Sequence, residues 1–341
     1  MRESRGMNAS PPMIEIRGVS KRFEGRVDLA ERAARLVRKP ASDGSVRALD
    51  DVSLEVRERE VVGLVGESGC GKSTLGRIVS RILEPSRGEL FWQGRPYRDQ
   101  AGAAARRERL AVQMIFQDPY ASLNPRMRVA EIVGEAPVVH GIVPARQRDE
   151  YAAELLARVG LDRAAMRRFP HQFSGGQRSR IGIARALAVK PRFLVCDEAV
   201  AALDVSIQAQ VLNLFIRLRE ELALTYLFIS HDLGVIRHLS DRVVVMYLGR
   251  IVESGPTAEV YAKPNHPYTA ALIAEVPRIE ARHRTYVPIR GEIPSPLAPP
   301  SGCHFHPRCP HAFGRCREEA PRLREIAPGR HSACHLNEAT P

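Results

Sequence analysis

The stretch Val61 to Ile78, VVGLVGESGCGKSTLGRI, decides how this chain folds. Val61 to Val65 form a short apolar run that reads as a buried strand. Of the next nine residues (Gly66, Glu67, Ser68, Gly69, Cys70, Gly71, Lys72, Ser73 and Thr74) the first eight match G-x-x-x-x-G-K-[ST], the pattern of a phosphate-binding loop, or P-loop. Leu75, Ile78, Val79, Ile82 and Leu83 then fall on one face of a helix. Strand, loop and helix is the context this motif requires. Glycines let the backbone wrap phosphates, and the helix N-terminus adds free N–H donors and positive potential. Lys72 is placed to reach the β and γ phosphates, and the Ser73 hydroxyl to ligate Mg²⁺.

Further along, FLVCDE (Phe193 to Glu198) is an apolar strand ending in two carboxylates. Such a pair can divide its work, Asp197 holding Mg²⁺ and Glu198 activating water. Paired acids at strand ends are common, and it is the preceding P-loop that gives this pair weight. A helix follows with Val211, Leu214, Phe215 and Leu218 on its inner face, and another strand runs Tyr226 to Ile229. Strands alternating with helices predict a parallel sheet covered on both faces.

Towards the N-terminus, MIEIRGVS (Met13 to Ser20) alternates like a half-exposed strand. A basic stretch from Gly25 to Arg47 interrupts before strand character returns at Val52. Leu29, Ala33, Leu36 and Val37 fall there at helical spacing, so a short amphipathic helix at a membrane surface is one expectation. From Gln117 to Ser174 the chain is polar, Arg-rich and helical, punctuated by Pro119, Pro125, Pro137, Pro144 and Pro170. Gly249 turns VVVMYLG into RIVESG. Beyond it the composition shifts towards Pro and His, and a domain boundary is expected near Tyr261.

Composition narrows the class. With 44% hydrophobic and 26% charged residues the chain can build a sizeable core. No apolar run approaches the roughly 20 residues that span a bilayer, and MRESRGMNASPP has no apolar signal region, so a cytoplasmic protein is expected. The net charge of +12 suits a nucleic-acid partner, an anionic membrane surface or an arginine-rich proteome. Its arginines are dispersed and no aromatic-interleaved basic stripe occurs, which weighs against nucleic acid. Of six cysteines, Cys303, Cys309, Cys316 and Cys334 crowd the C-terminus. In a reducing cytosol that points to metal rather than disulfides.

SGGQR (Ser174 to Arg178), followed by IGIARAL, resembles the signature motif of ATP-binding-cassette (ABC) ATPases. Ser174, Gly175, Gly176 and Gln177 at a helix start make a second anion site, although Gly-Gly alone is also a hinge. The resemblance extends to three further positions. Gln117, in MIFQDP, is similar to the Q-loop glutamine, Asp204, in AALD, to the D-loop aspartate across the dimer interface, and His231 to the switch histidine. Gln117 thereby joins Ser73 and Asp197 around Mg²⁺, and Gln117, Glu198 and His231 form the catalytic set. Phe23, in VSKRF, occupies the position of the adenine-stacking aromatic, where strand packing is the other reading.

PYASLNPRM, FPHQFSGGQR and ALDVSIQAQVLNL resemble the F-type ATPase of oligopeptide and dipeptide importers, and NHPYTAAL and GCHFHPRCP resemble its C-terminal extension. The resemblance implies an α/β fold: a P-loop NTPase (RecA-like) core with an ABC helical subdomain at about 118–175 and an antiparallel β subdomain, together spanning 13–260. A small Cys-rich C-terminal extension, 261–341, follows. It further implies ATP-driven dimer closure, heterodimerisation with a homologous D-type ATPase, two permease subunits, a periplasmic solute-binding protein, and residence on the cytoplasmic face of the bacterial inner membrane. Nickel, a sugar, an opine or a glutathione-like compound are alternative cargoes. A soluble ABC ATPase acting on nucleic acid is a more remote reading, since there is one P-loop and no long heptad segment. Some relatives carry a [4Fe–4S] cluster in the extension; Cys303, Cys309, Cys316 and Cys334 can hold such a cluster, hold zinc, or pack as free thiols. Two positions depart from the family pattern: Ala199 replaces the usual Pro after the catalytic Glu, and Ala201 the usual Ser.

Overall fold

A computed structural model describes residues 11–24, 45–97, 102–275 and 291–338. The amphipathic helix expected around Leu29 to Val37 lies outside the described residues. The strands are β1 (Ile14–Glu24), β2 (Ser45–Val56), β3 (Val61–Val65), β4 (Arg87–Trp92), β5 (Arg95–Pro96), β6 (Val112–Ile115), β7 (Phe193–Asp197), β8 (Thr225–Ile229), β9 (Arg242–Tyr247), β10 (Arg250–Pro256), β11 (Arg324–Ala327) and β12 (Arg330–Ser332).

One sheet runs β11-β12-β10-β9-β3-β8-β7-β6. Its segment β9-β3-β8-β7-β6 is parallel, and β10, β12 and β11 extend it by antiparallel pairing. The parallel strands are apolar along most of their length because both faces are covered, with Gln113 in β6 and Arg242 at the start of β9 among the exceptions. Period-two alternation sends Leu194, Cys196, Tyr226, Phe228, Val243 and Val245 into a core shared with the helices. Phe193, Val195, Leu227, Ile229, Val244 and Met246 enter a second core shared with the other sheet. That other sheet, β2-β1-β4-β5, is antiparallel.

The helix after the P-loop, Lys72–Val79, buries Leu75, Ile78 and Val79. Gly76 lets it lie close on the sheet, since a Cβ there would come within 2.7 Å of Ile229 Cδ1. Ile82, expected on the same buried face, lies beyond the helix end and is 54% exposed. The first strand reaches Glu24 rather than stopping at Ser20, and β2 begins at Ser45, well before Val52. The two extensions pair with each other, Phe23 opposite Val46 and Glu24 opposite Ser45. Helices Pro119–Ser122, Val129–Val139 and Arg148–Arg158 occupy the expected helical region. Beyond residue 261 the hairpin β11–β12 joins the main sheet through β10, and a helix spans Pro267–Ala274.

Candidate functional site

The predicted site residues lie beyond the carboxyl ends of four neighbouring parallel strands, the usual place for ligands in such sheets. The P-loop follows β3, His231 follows β8, Asp197 and Glu198 end β7, and Gln117 follows β6. The chain turns sharply into the P-loop: Gly66 has φ 151° and Gly71 has φ 106°. A Cβ on Gly66 would strike the Met246 carbonyl and one on Gly71 the Ala48 carbonyl, so both positions require glycine.

Lys72 is buried, and its ammonium donates to the carbonyls of Gly66 (2.7 Å) and Glu67 (3.0 Å). Ser73 Oγ donates to Asp197 Oδ1 at 2.9 Å. Burial raises the Asp197 pKa, opposed by the Ser73 hydrogen bond. A buried carboxylate beside a hydroxyl is a hard-oxygen donor set, suited to a small divalent cation that also binds phosphates.

Gln117 Nε2 donates to Glu198 Oε2 at 2.7 Å, and His231 Nδ1 lies 3.3 Å from Glu198 Oε1. Glu198 has φ 48°, the left-handed region that bulky residues rarely adopt. Its N–H is bonded to the Ile229 carbonyl at 3.0 Å, which pins the turn to β8. Ala199, standing where the family pattern has Pro, is buried, and its carbonyl accepts the Ser179 hydroxyl at 3.3 Å. Ser179 lies in the helix Gly175–Leu187 that begins with SGGQ, so this bond ties the two catalytic motifs together.

At the start of that helix Ser174 Oγ accepts from Gln177 N (3.3 Å) while Gln177 Oε1 accepts from Ser174 N (3.1 Å), a reciprocal capping box. A Cβ on Gly176 would collide with Ile207, so the signature packs on the helix Val205–Leu222 that follows Asp204. Among the described residues no hydrogen bond or ion pair joins Ser174–Gln177 to the P-loop. The fold therefore gathers Lys72, Ser73, Asp197, Glu198, Gln117 and His231, and leaves the signature and Asp204 as a separate surface. Phe23 stands apart as well, near the end of β1 and 40% exposed, with Lys21 Nζ 5.3 Å from its ring centre.

The C-terminal cysteines share one neighbourhood. Burial pushes the Cys303 thiol up to about 11, with Cys316, Cys334 and Cys309 adding to the rise. Cys309 and Cys334 are raised too, again chiefly by burial. Among the described residues no group of three or more His, Cys, Asp or Glu side chains is arranged to hold a metal ion. The four-thiolate ligand set expected for a [4Fe–4S] cluster or zinc is not formed by Cys303, Cys309, Cys316 and Cys334 as they stand.

Two residues that sequence reasoning missed reach the P-loop from the C-terminal region. Arg308 forms a forked pair with Glu67, and the Tyr268 hydroxyl accepts the Glu67 N–H at 2.8 Å. Both lie in segments, NHPYTAAL and GCHFHPRCP, that carry the resemblance to the importer extension. Nothing in their local pattern announces a partner more than 200 positions away.

The ABC transporter family matches residues 49–201, and the family described as the oligopeptide/dipeptide transporter C-terminal region matches residues 252–316. The oligopeptide transport ATP-binding protein AppF of Bacillus subtilis is 48% identical over 328 residues, covering 95% of this chain and 97% of that protein. Among solved structures, the dimeric ATP-binding cassette MJ0796 in a post-hydrolysis state bound to ADP and Pi is similar with TM-score 0.61 and 26% identity, covering 72% of this chain and 99% of that chain. CbiO1 of Clostridium perfringens, part of the ABC transporter complex cbiONQ, gives TM-score 0.60 and 25% identity, covering 74% of this chain and 92% of that one.

Proposed function

The chain belongs to the family of ABC transporter ATP-binding proteins, in the branch with the oligopeptide/dipeptide C-terminal region, and we propose that it hydrolyses ATP at the Lys72–Glu198 site to energise peptide import. The observation that carries the assignment of the site is the pairing of Gln117 with Glu198 at 2.7 Å beside Ser73 and Asp197 at 2.9 Å, across adjoining strand ends. Glu198 is the general base that takes the proton of the attacking water, and Gln117 and His231 orient that water. Lys72 is the fixed cation for the β and γ phosphates. Ser73 and Asp197, with Gln117, would hold Mg²⁺, which neutralises phosphate charge when bound.

Among the described residues no hydrogen bond or ion pair links Asp204 or Ser174–Gln177 to the P-loop of their own chain. In our proposal they meet the nucleotide held by a second, homologous D-type subunit, with two ATP molecules sandwiched between the pair. The dimeric state of the MJ0796 cassette supports this reading. Closure of the sandwich drives two permease subunits between inward- and outward-facing states, and hydrolysis resets them. Among the described residues no helix is long and apolar enough to cross a membrane. We accordingly propose peripheral attachment to the permeases at the cytoplasmic face of the inner membrane, with a periplasmic solute-binding protein delivering cargo from outside. Phe23 is proposed to stack on the adenine.

The test is Mg-ATP hydrolysis by the complex reconstituted with its permeases in liposomes. Activity stimulated by the peptide-loaded binding protein, and lost in Glu198→Gln, is expected. Stimulation that survives Glu198→Gln would move hydrolysis to the partner ATPase, and indifference to the binding protein would overturn the importer assignment.

A further inference from the structure

Arg308 stands in the turn His306–Arg308 between Cys303 and Cys309, in a part of the chain to which the mechanism assigns nothing. Its guanidinium grips the second residue of the P-loop with both arms: Nη1 to Glu67 Oε2 at 2.7 Å and Nη2 to Glu67 Oε1 at 2.9 Å. The Arg308 side chain is 5% exposed, so the pair is sealed from solvent on the arginine side. An aromatic wall fixes it there. Tyr247, Tyr268 and Phe305 pack with ring centres 4.7 to 5.3 Å apart, and the Tyr247 hydroxyl is 3.4 Å from Arg308 Nη1.

Every polar group of Glu67 is engaged. Tyr268 takes its N–H, Arg308 its carboxylate and Lys72 its carbonyl. Two of these three partners belong to the C-terminal region. That region is also stitched to the strands around the loop, through the Pro296 carbonyl on Arg47 N (3.3 Å) and His304 Nδ1 on the Leu248 carbonyl (3.2 Å). A carboxylate carried on a phosphate-binding loop repels its own ligand unless it is neutralised, and a Gly-rich loop costs entropy to order when the ligand arrives. The Arg308 and Tyr268 contacts remove both penalties in advance.

We propose that Arg308 and Tyr268 are positioning residues for the P-loop, through which the C-terminal region sets the affinity for ATP without touching it. This rests on the ATP-binding assignment made above. The charge account has a signature that a merely structural bond lacks, because the two halves of the pair act with opposite sign. Removing the cation leaves an anion facing phosphates; removing the anion leaves a cation.

The experiment is equilibrium binding of a fluorescent ATP analogue, together with KM and kcat for Mg-ATP, on the full chain in its complex. Arg308→Gln is expected to raise Kd and KM roughly tenfold with kcat within about twofold, and Glu67→Gln to lower Kd by about two- to threefold. The double variant, whose two amides can bond, should return to within about threefold of wild type. Tyr268→Phe should raise Kd by roughly threefold. A fall in kcat at unchanged KM for Arg308→Gln, or a double variant as impaired as Arg308→Gln alone, would overturn the proposal. Should Arg308→Gln fail to fold in a melting assay, Glu67→Gln decides alone: tighter binding supports the proposal and weaker binding sinks it. Failure of the ATP-binding assignment itself looks different, since the wild-type chain and Lys72→Ala would then bind the analogue equally poorly.

Discussion

The rim of the nucleotide site and the dock of the C-terminal region are both built from carboxylates, and they are held in opposite ways. At the rim Glu198 is paired with a glutamine and with a histidine that is 54% exposed, contacts that exchange readily for water or phosphate. At the dock Glu253, fully buried on β10, accepts the N–H groups of Asn265 and His266, both at 2.8 Å, and faces Arg330 at 3.3 Å. Groups that must change partners during a cycle are left where water reaches them. Groups that must keep one arrangement are sealed, and there a lost partner leaves an uncompensated buried charge or donor.

Substitutions on the two sides should therefore separate activity from stability. The largest effect is expected from Glu198→Gln, which should slow phosphate release by roughly 10²- to 10⁴-fold while the urea midpoint stays at the wild-type value. A shifted midpoint would show that the rim also carries stability. Next comes Glu253→Ala, expected to cost about 3–5 kcal/mol in urea unfolding, because Arg330 and two backbone donors lose their acceptor. Unchanged unfolding would erase the distinction drawn between the regions.

Acidification provides a smaller test of the dock. His266 is buried, its Nδ1 accepts the Tyr268 N–H at 3.1 Å, and burial lowers its pKa from 6.5 to about 4. The unfolded chain therefore binds this proton first as pH falls. Stability that is complete above pH 6.5 should drain away towards about pH 4, by on the order of 3 kcal/mol, and His266→Asn, which keeps an acceptor for Tyr268, should flatten that slope. The smallest effect is expected at the signature: Ser174→Ala removes a helix cap and should cost about 1 kcal/mol in thermal unfolding.

The readability of this chain followed the range of the interactions involved. The sheet's parallel strands were legible because burial on both faces leaves unbroken apolar runs, and the P-loop because its phosphate chemistry dictates neighbouring residues. The contacts between Gln117, Glu198 and His231 required the resemblance, since three short loops meet only once the strands are ordered. The early start of β2 was hidden because its first residues, Ser45 to Arg47, gain strand structure from pairing with β1 rather than from their own pattern. Ile82 was misplaced by periodicity that ran on past the end of the helix. The cysteine spacing suggested a ligand set, and the four cysteines do share a neighbourhood, whereas the geometry a metal needs depends on loop paths that spacing does not encode. Arg308 was invisible for the plainest reason, that an ion pair between distant segments leaves no periodic trace.

The Glu67–Arg308 pair spans 241 positions, and that separation has a consequence for how the protein is made. At about 5–20 residues per second, the P-loop leaves the ribosome on the order of 10–50 s before its arginine is synthesised. Throughout that interval the nascent cassette carries a P-loop whose carboxylate has no guanidinium to answer it. Completion of the nucleotide site is thereby deferred until more than 200 further residues have been made, and a chain cut short anywhere before Arg308 ends without it.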